Sequence, residues 1–167
     1  MSDTVGFTTE EWNLVSSLPI EVAAAASIAD AKDGAGSTRE IMTAINAFPT
    51  GAMLLRHNEI VRALFDEYKT DGQGEERLLQ LSQDPPIGLI DRTIERVHEV
   101  NGFLGARGDQ IEADEYRNWL SSLATEIVFT SKAGGFLGIG GTRVTEGEHS
   151  FLTVLNDALG IAIPSTE

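Results

Sequence analysis

The chain contains no cysteine, which excludes disulfides, zinc–thiolate sites, iron–sulfur clusters and cysteine nucleophiles. Long apolar runs are also missing. The longest, residues 22–26, is far too short to cross a bilayer, so no membrane span is predicted. The first residues are polar and acidic, which is not the basic-then-apolar pattern of a secretory signal peptide. We therefore expect a soluble, cytoplasmic protein.

Positive charge is scarce: 12 lysines and arginines stand against 26 aspartates and glutamates, which gives a net charge of -14. Because no cluster of basic residues exists, binding to nucleic acid or to an anionic membrane is not expected. An acidic chain suits a cationic ligand, a basic partner, or solubility alone. At 167 residues the chain fits a single domain, residues 1–167, whose core needs neither disulfide nor metal.

No stretch alternates between apolar and polar residues for long enough to predict a convincing strand. Apolar residues recur instead at helical spacing, which predicts an all-α bundle of about seven or eight helices. At the N-terminus, Thr8 and Glu11 form a capping box, and Phe7 is placed to pack on Trp12. Pro19 predicts the start of a second helix, because a first-turn proline sacrifices no hydrogen bond.

Further helices are predicted at about 37–48, 50–69, 75–83, 90–104, 116–127 and 145–159, the last ending at Gly160. The stripe that defines the helix over 50–69 consists of Met53, Leu54, His57, Val61, Leu64, Phe65 and Tyr68. Because His57 lies on this apolar stripe, it is predicted to be a core histidine rather than a ligand.

One segment is repeated: LVSSLPIEV at residues 14–22 returns as WLSSLATEI at residues 119–127. Each copy leads into a loop that contains glycine and then into a helix-start box, STRE at 37–40 and TEGE at 145–148. This pattern predicts a duplicated helix-loop-helix unit, with repeats over 8–48 and 112–160 and a central helical segment over 49–106. Chance similarity between two helices is the alternative. A duplicated unit of this size would bury its apolar face against the other copy.

A glycine-rich segment, GGFLGIGG, covers residues 134–141. It lacks the lysine and the preceding strand of a phosphate-binding loop, so nucleotide binding is not expected. We expect an ordered connector whose apolar side chains pack on the core. The alternative is a loop that binds a partner or ligand, since long structured loops are often functional. The candidate residues are Gly135, Phe136, Leu137, Gly138 and Ile139.

Two Glu-x-x-His pairs, Glu95 with His98 and Glu146 with His149, match the spacing used by di-iron helical bundles. The helical faces argue against such a site. Glu95 points away from the buried stripe of its helix, and Glu146 lies in a first turn, where an acidic residue simply suits the helix dipole.

Glu21 and Glu126 occupy equivalent positions in the two copies. Residues of this kind are usually solvated flanks of a helix, and this is the prediction for both. The alternative is a pair of carboxylates that performs acid–base chemistry or holds a cation. No serine stands in a Gly-x-Ser-x-Gly turn, so a hydrolase triad has no support.

The sequence AKDG at residues 31–34, followed by S-x-x-E-I from Ser37, resembles the tellurite-resistance B (TerB-like) proteins. The resemblance implies an acidic, internally duplicated, all-helical protein involved in stress response and associated with divalent metal. It further implies a divalent cation near Asp30, Asp33 and Glu40. The second copy keeps the box, Thr145 to Glu148, but has two glycines in place of Asp-Gly.

The expected function is that of a bacterial-type helical binding or scaffolding protein without enzymatic activity. It would act on an unknown protein partner or by self-association, with no cofactor other than, at most, a divalent cation. The alternative is a carboxylate-bridged, metal-binding helical-bundle enzyme.

Overall fold

The computed structural model describes residues 6–29, 44, 46, 48–51, 53–71, 74–106, 109–133 and 146–161. Six helices have defined bounds: α1 Thr9–Ile28, α2 Glu59–Asp71, α3 Gly74–Leu81, α4 Pro86–Leu104, α5 Gln110–Ala133 and α6 Glu146–Leu159. Residues 44, 46, 48–51, 53 and 54 are helical too, and the described ranges contain no strand. The predicted all-α class is confirmed, whereas the internal duplication stays a prediction.

The N-terminus of α1 forms as its sequence predicts. The Glu11 amide donates to Thr8 Oγ1 over 3.2 Å, and the Thr8 amide donates to Glu11 Oε2 over 2.9 Å. Two of the amides that a helix start leaves without a partner are therefore satisfied. The ring of Phe7 lies 6.2 Å from the ring of Trp12, which fixes the direction in which the chain enters the helix.

α1 is the central helix of the bundle and contacts α3, α4, α5 and α6. Every residue from Val22 to Ile28 is buried. A helix that is apolar on all sides is stable only when other elements enclose it, and this stretch of α1 fulfils that condition. The four consecutive alanines have the small side chains that close approach of the neighbouring helices requires.

Pro19 does not begin a helix, so that prediction is wrong: it lies inside α1. A proline inside a helix deprives the carbonyl four residues earlier, here that of Val15, of its amide donor. The hydroxyl of Tyr116 in α5 donates to this carbonyl over 2.7 Å, and the hydroxyl of Tyr68 in α2 donates to the next one, Ser16. The Tyr116 hydroxyl, distant in sequence, thus replaces the missing amide, which local sequence rules cannot anticipate.

The single helix predicted over 50–69 is also wrong, because a turn at residues 55–57 separates the helical residues before it from α2. The buried Asn58 ends this turn: its Oδ1 accepts from the Val61 amide at 3.1 Å, and its Nδ2 donates to the Glu112 carbonyl at 3.0 Å. Met53 and Leu54 consequently leave the predicted stripe, being 76% and 74% exposed.

The helices predicted at about 75–83, 90–104 and 145–159 agree with α3, α4 and α6 to within a few residues, whereas α5 extends six residues beyond each end of the predicted 116–127. Most of the helix predicted at 37–48 lies outside the described residues. In α4, Val97 and Leu104, which are seven residues apart and therefore share a helical face, are both buried. α6 ends at Leu159, where Gly160 adopts a φ of 74°, a conformation that favours glycine. None of the helices in the described ranges combines the length and apolar character that crossing a bilayer requires.

Candidate functional site

A cavity of about 220 Å³ opens between α1, the helical residues near 48, α2 and α3. Most of its wall is apolar or aromatic, with one lysine and one glutamate. The lining residues are Ile20, Phe48, Pro49, Phe65, Tyr68, Lys69, Gly74, Glu75 and Leu78. They come from separate parts of the chain, so only the tertiary fold brings them together.

Two features keep this cavity open. The ring of Phe48 meets the ring of Tyr68 edge-on, with 5.8 Å between centroids, and the Tyr68 hydroxyl is held by the Ser16 carbonyl. The aromatic wall is therefore fixed in orientation. Gly74 contributes no side chain, and a Cβ added there would lie 3.9 Å from Ile20 Cδ1, an ordinary contact distance. A larger residue at Gly74 would take up space that is now empty.

The polar groups of the cavity are few. Burial raises the pKa of Tyr68, with a further contribution from the charge of Glu67, so its hydroxyl stays protonated. The Nζ of Lys69 lies 5.0 Å from the centroid of the Phe65 ring, which is a cation–π distance. The cavity thus offers an apolar interior with a positive group and the carboxylate of Glu75 beside it.

A buried ion pair lies directly behind the Ile20 wall. Glu21 is only 3% exposed, its Oε1 accepts a hydrogen bond from Arg96 Nη1, and Arg77 Nη2 lies 4.0 Å away. Burial raises the pKa of Glu21, although the charges of Arg96 and Arg77 oppose the shift. This carboxylate links α1 to α3 and α4.

The prediction of a solvated Glu21 is therefore wrong, while the same prediction for Glu126 is right, since Glu126 is exposed. A signal was present in the sequence: Glu21 is followed at once by the apolar run over residues 22–26. A run of that kind leaves a helix without a solvent-facing side, so a charged residue within it must find a partner.

His57 is not a core histidine. It is exposed, and its Nε2 lies 2.8 Å from Glu115 Oε1. The prediction failed because the turn at 55–57 removes this residue from the helical stripe on which it was placed. Glu115 also accepts a hydrogen bond at 2.9 Å from the side chain of Asn58.

The two Glu-x-x-His pairs do not converge on a common centre. Glu95, His98, Glu146 and His149 are all exposed. Within the described part of the chain, no three His, Asp or Glu side chains are arranged to hold one metal ion. The candidate cation residues Asp30, Asp33 and Glu40, and the candidate loop 135–139, lie outside the described residues.

No protein-family model, curated protein or solved structure matches the chain.

Proposed function

We propose that this chain is a non-catalytic binding protein whose ligand is a small apolar molecule, held in the cavity between α1, α2 and α3. The observation that carries the proposal is the cavity itself, with Ile20, Phe65 and Leu78 forming an apolar wall around about 220 Å³ of space. Binding rather than catalysis is the function that this arrangement supports best, since most of the wall is apolar or aromatic.

The volume limits the size of the ligand. An apolar cavity of about 150 Å³ in a protein interior is large enough to bind benzene, whereas drug-sized ligands occupy roughly 300–1,000 Å³. A cavity of about 220 Å³ therefore suits a single ring with one or two substituents, or a short alkyl chain. Nucleotides and other large cofactors are too big for it.

The wall chemistry defines which part of the ligand lies inside. Phe48, Phe65 and Leu78 favour an apolar body, since burial of apolar surface contributes about 25 cal/mol per Å². Lys69 offers a positive group to any polar substituent that the ligand carries. The negative overall charge argues against nucleic acid as a ligand, and we extend the proposal to a cytoplasmic location and a role in stress response.

Fluorobenzene tests the proposal, because its ¹⁹F signal and the methyl signals of Ile20 and Leu78 report binding directly. We expect saturable shifts of these signals in the full chain. Gly74→Leu should abolish them, because the new side chain extends past Ile20 into the space now empty. Its stability should be unchanged or higher, since the new side chain buries apolar surface in space that is now empty.

Gly88→Leu is the matched control. Gly88 lies in α4 with nothing within 4 Å of an added Cβ, and it does not line the cavity. Fluorobenzene should bind this variant as it binds the unmodified chain. The proposal fails if fluorobenzene leaves the Ile20 and Leu78 methyl signals unchanged, or if Gly74→Leu folds and still binds it with the same affinity.

A further inference from the structure

A second cavity, of about 300 Å³, lies between residues 50–55 and one face of α5. α5 contributes positions spaced by three and four residues, which place Glu115, Trp119 and Glu126 on a common face. Leu54, Leu55 and Leu123 complete the apolar part of the wall. Phe48 separates this cavity from the first, since its ring contacts both Tyr68 and Trp119.

The charge of this second cavity has one sign. Glu115 and Glu126 line it, and none of its described lining residues is a lysine, arginine or histidine. Hydrogen bonds from His57 and Asn58 lower the pKa of Glu115, so its carboxylate is ionised at neutral pH. A cleft with charges of one sign and apolar walls concentrates counter-ions, and the net charge of -14 adds to this attraction.

Trp119 supplies an unused polar group. Its side chain is 7% exposed, yet its indole N–H donates no hydrogen bond to any residue that the structure describes. Trp12 provides the contrast, because its indole N–H donates to Glu67 Oε2 over 2.5 Å. Gly51 covers the indole of Trp119 so closely that a Cβ at this position would collide with Nε1. The backbone of Gly51 thus lies close to the indole ring but accepts no hydrogen bond from its N–H.

We propose that this second cavity binds a small organic cation. Its ammonium group faces the carboxylate of Glu126, and its apolar body lies against Trp119 and the leucines. The indole N–H of Trp119 lies beside this apolar body, so its resonance reports binding whether or not the ligand also carries an acceptor atom. Both carboxylates disfavour an anion, and a neutral apolar ligand gains nothing from the charge of Glu126.

Benzylammonium is the test ligand, and benzyl alcohol is its neutral counterpart of nearly the same shape. The readout is the indole N–H resonance of Trp119, assigned by the loss of the other indole signal in Trp12→Phe or by nuclear Overhauser contacts to Gly51. The titration is carried out in Gly74→Leu as well as in the unmodified chain, so that binding in the first cavity does not interfere.

We expect benzylammonium to shift the Trp119 resonance saturably, and benzyl alcohol to do so more weakly. Glu126→Gln should weaken benzylammonium binding roughly three- to fivefold, as expected for one partly exposed charge pair. Glu95→Gln removes the same charge from an exposed position on α4 and should leave the affinity unchanged. The proposal is overturned if the Trp119 resonance does not move, if both ligands bind equally, or if Glu126→Gln and Glu95→Gln have equal effects.

Discussion

Residues 14–22 of α1 and 119–127 of α5 have similar sequences but different environments. Leu18 and Leu123, which are equivalent, are both buried, and so are Val22 and Ile127. The two glutamates differ: Glu21 is buried with two arginines near it, whereas Glu126 is exposed on the wall of the second cavity. Similar sequence has therefore produced the same helix but not the same burial.

The difference follows from the position of each helix in the bundle. α1 contacts α3, α4, α5 and α6, so little of its middle reaches solvent. α5 packs on α1, α2 and α6 and keeps one face open, which includes Ser122 and Glu126. The apolar positions of a helix can be identified from its own sequence, but the burial of its polar positions depends on how many neighbours surround it.

The largest effects should come from the positions at which the two segments agree. Leu18→Ala and Leu123→Ala each remove a fully buried side chain, and each should lower the free energy of unfolding by about 3 kcal/mol. Urea denaturation of both variants measures this. A cost below about 1 kcal/mol for either one would show that its surroundings collapse to fill the space, and that the two positions are not equivalent in packing.

The next largest effect should come from the position at which the segments differ most. Arg96→Ala leaves Glu21 buried with only Arg77 nearby, at 4.0 Å. Breaking a buried pair costs about 3–5 kcal/mol, and we expect about 2 because the Arg96 side chain is partly exposed. Glu126→Ala should change stability by no more than about 0.5 kcal/mol.

A double variant separates the charge from the packing at this site. Glu21→Gln with Arg96→Met removes both charges and keeps similar volumes, so it should be more stable than Arg96→Ala alone. Equal losses in the two variants would mean that the aliphatic part of Arg96, rather than its charge, provides the stabilisation.

The sequence could predict features that depend on residues close together in the chain, but not those that depend on contacts between separate helices. The cap at Thr8, the end of the chain's last described helix at Gly160 and the all-α class depend on residues close together in sequence, and all three were predicted correctly. The burial of Glu21 depends on Arg96 and Arg77, which belong to other helices. Both cavities are likewise lined by residues from separate segments, so no local sequence pattern could predict them.

Pro19 gives a third test, because the other copy has alanine at this position, Ala124. Tyr116→Phe removes the donor to the Val15 carbonyl and should cost about 1–2 kcal/mol, the penalty of a buried acceptor without a partner. In a Pro19→Ala background the restored amide can donate to this carbonyl, so the cost of Tyr116→Phe should fall. If the cost is the same in both backgrounds, the hydroxyl does not compensate for the proline. Denaturation of the two single variants and the double variant completes the cycle.

The smallest effect is a change in how stability depends on pH, and it should have opposite signs for Glu21 in α1 and Glu115 in α5. Burial raises the pKa of Glu21 above its ordinary value of 4.5, so the folded chain binds this proton more tightly than the unfolded chain. The resulting stabilisation is fully present below pH 4.5 and is lost as the pH rises through the folded-state pKa. Glu21→Gln should therefore cost less stability as the pH increases above 4.5.

Glu115, near the start of α5, should show the opposite dependence of stability on pH. Hydrogen bonds from His57 and Asn58 lower its pKa below 4.5, so its contribution is present above that pH and is lost as the pH falls through the folded-state pKa. Glu115→Gln should therefore cost more stability near neutral pH than in acid. Urea denaturation of both variants and the unmodified chain, from acidic to neutral pH, measures the two slopes. Slopes of the same sign would mean that Arg96 and Arg77 outweigh the burial of Glu21, and that its carboxylate is as favourably placed as the one in α5.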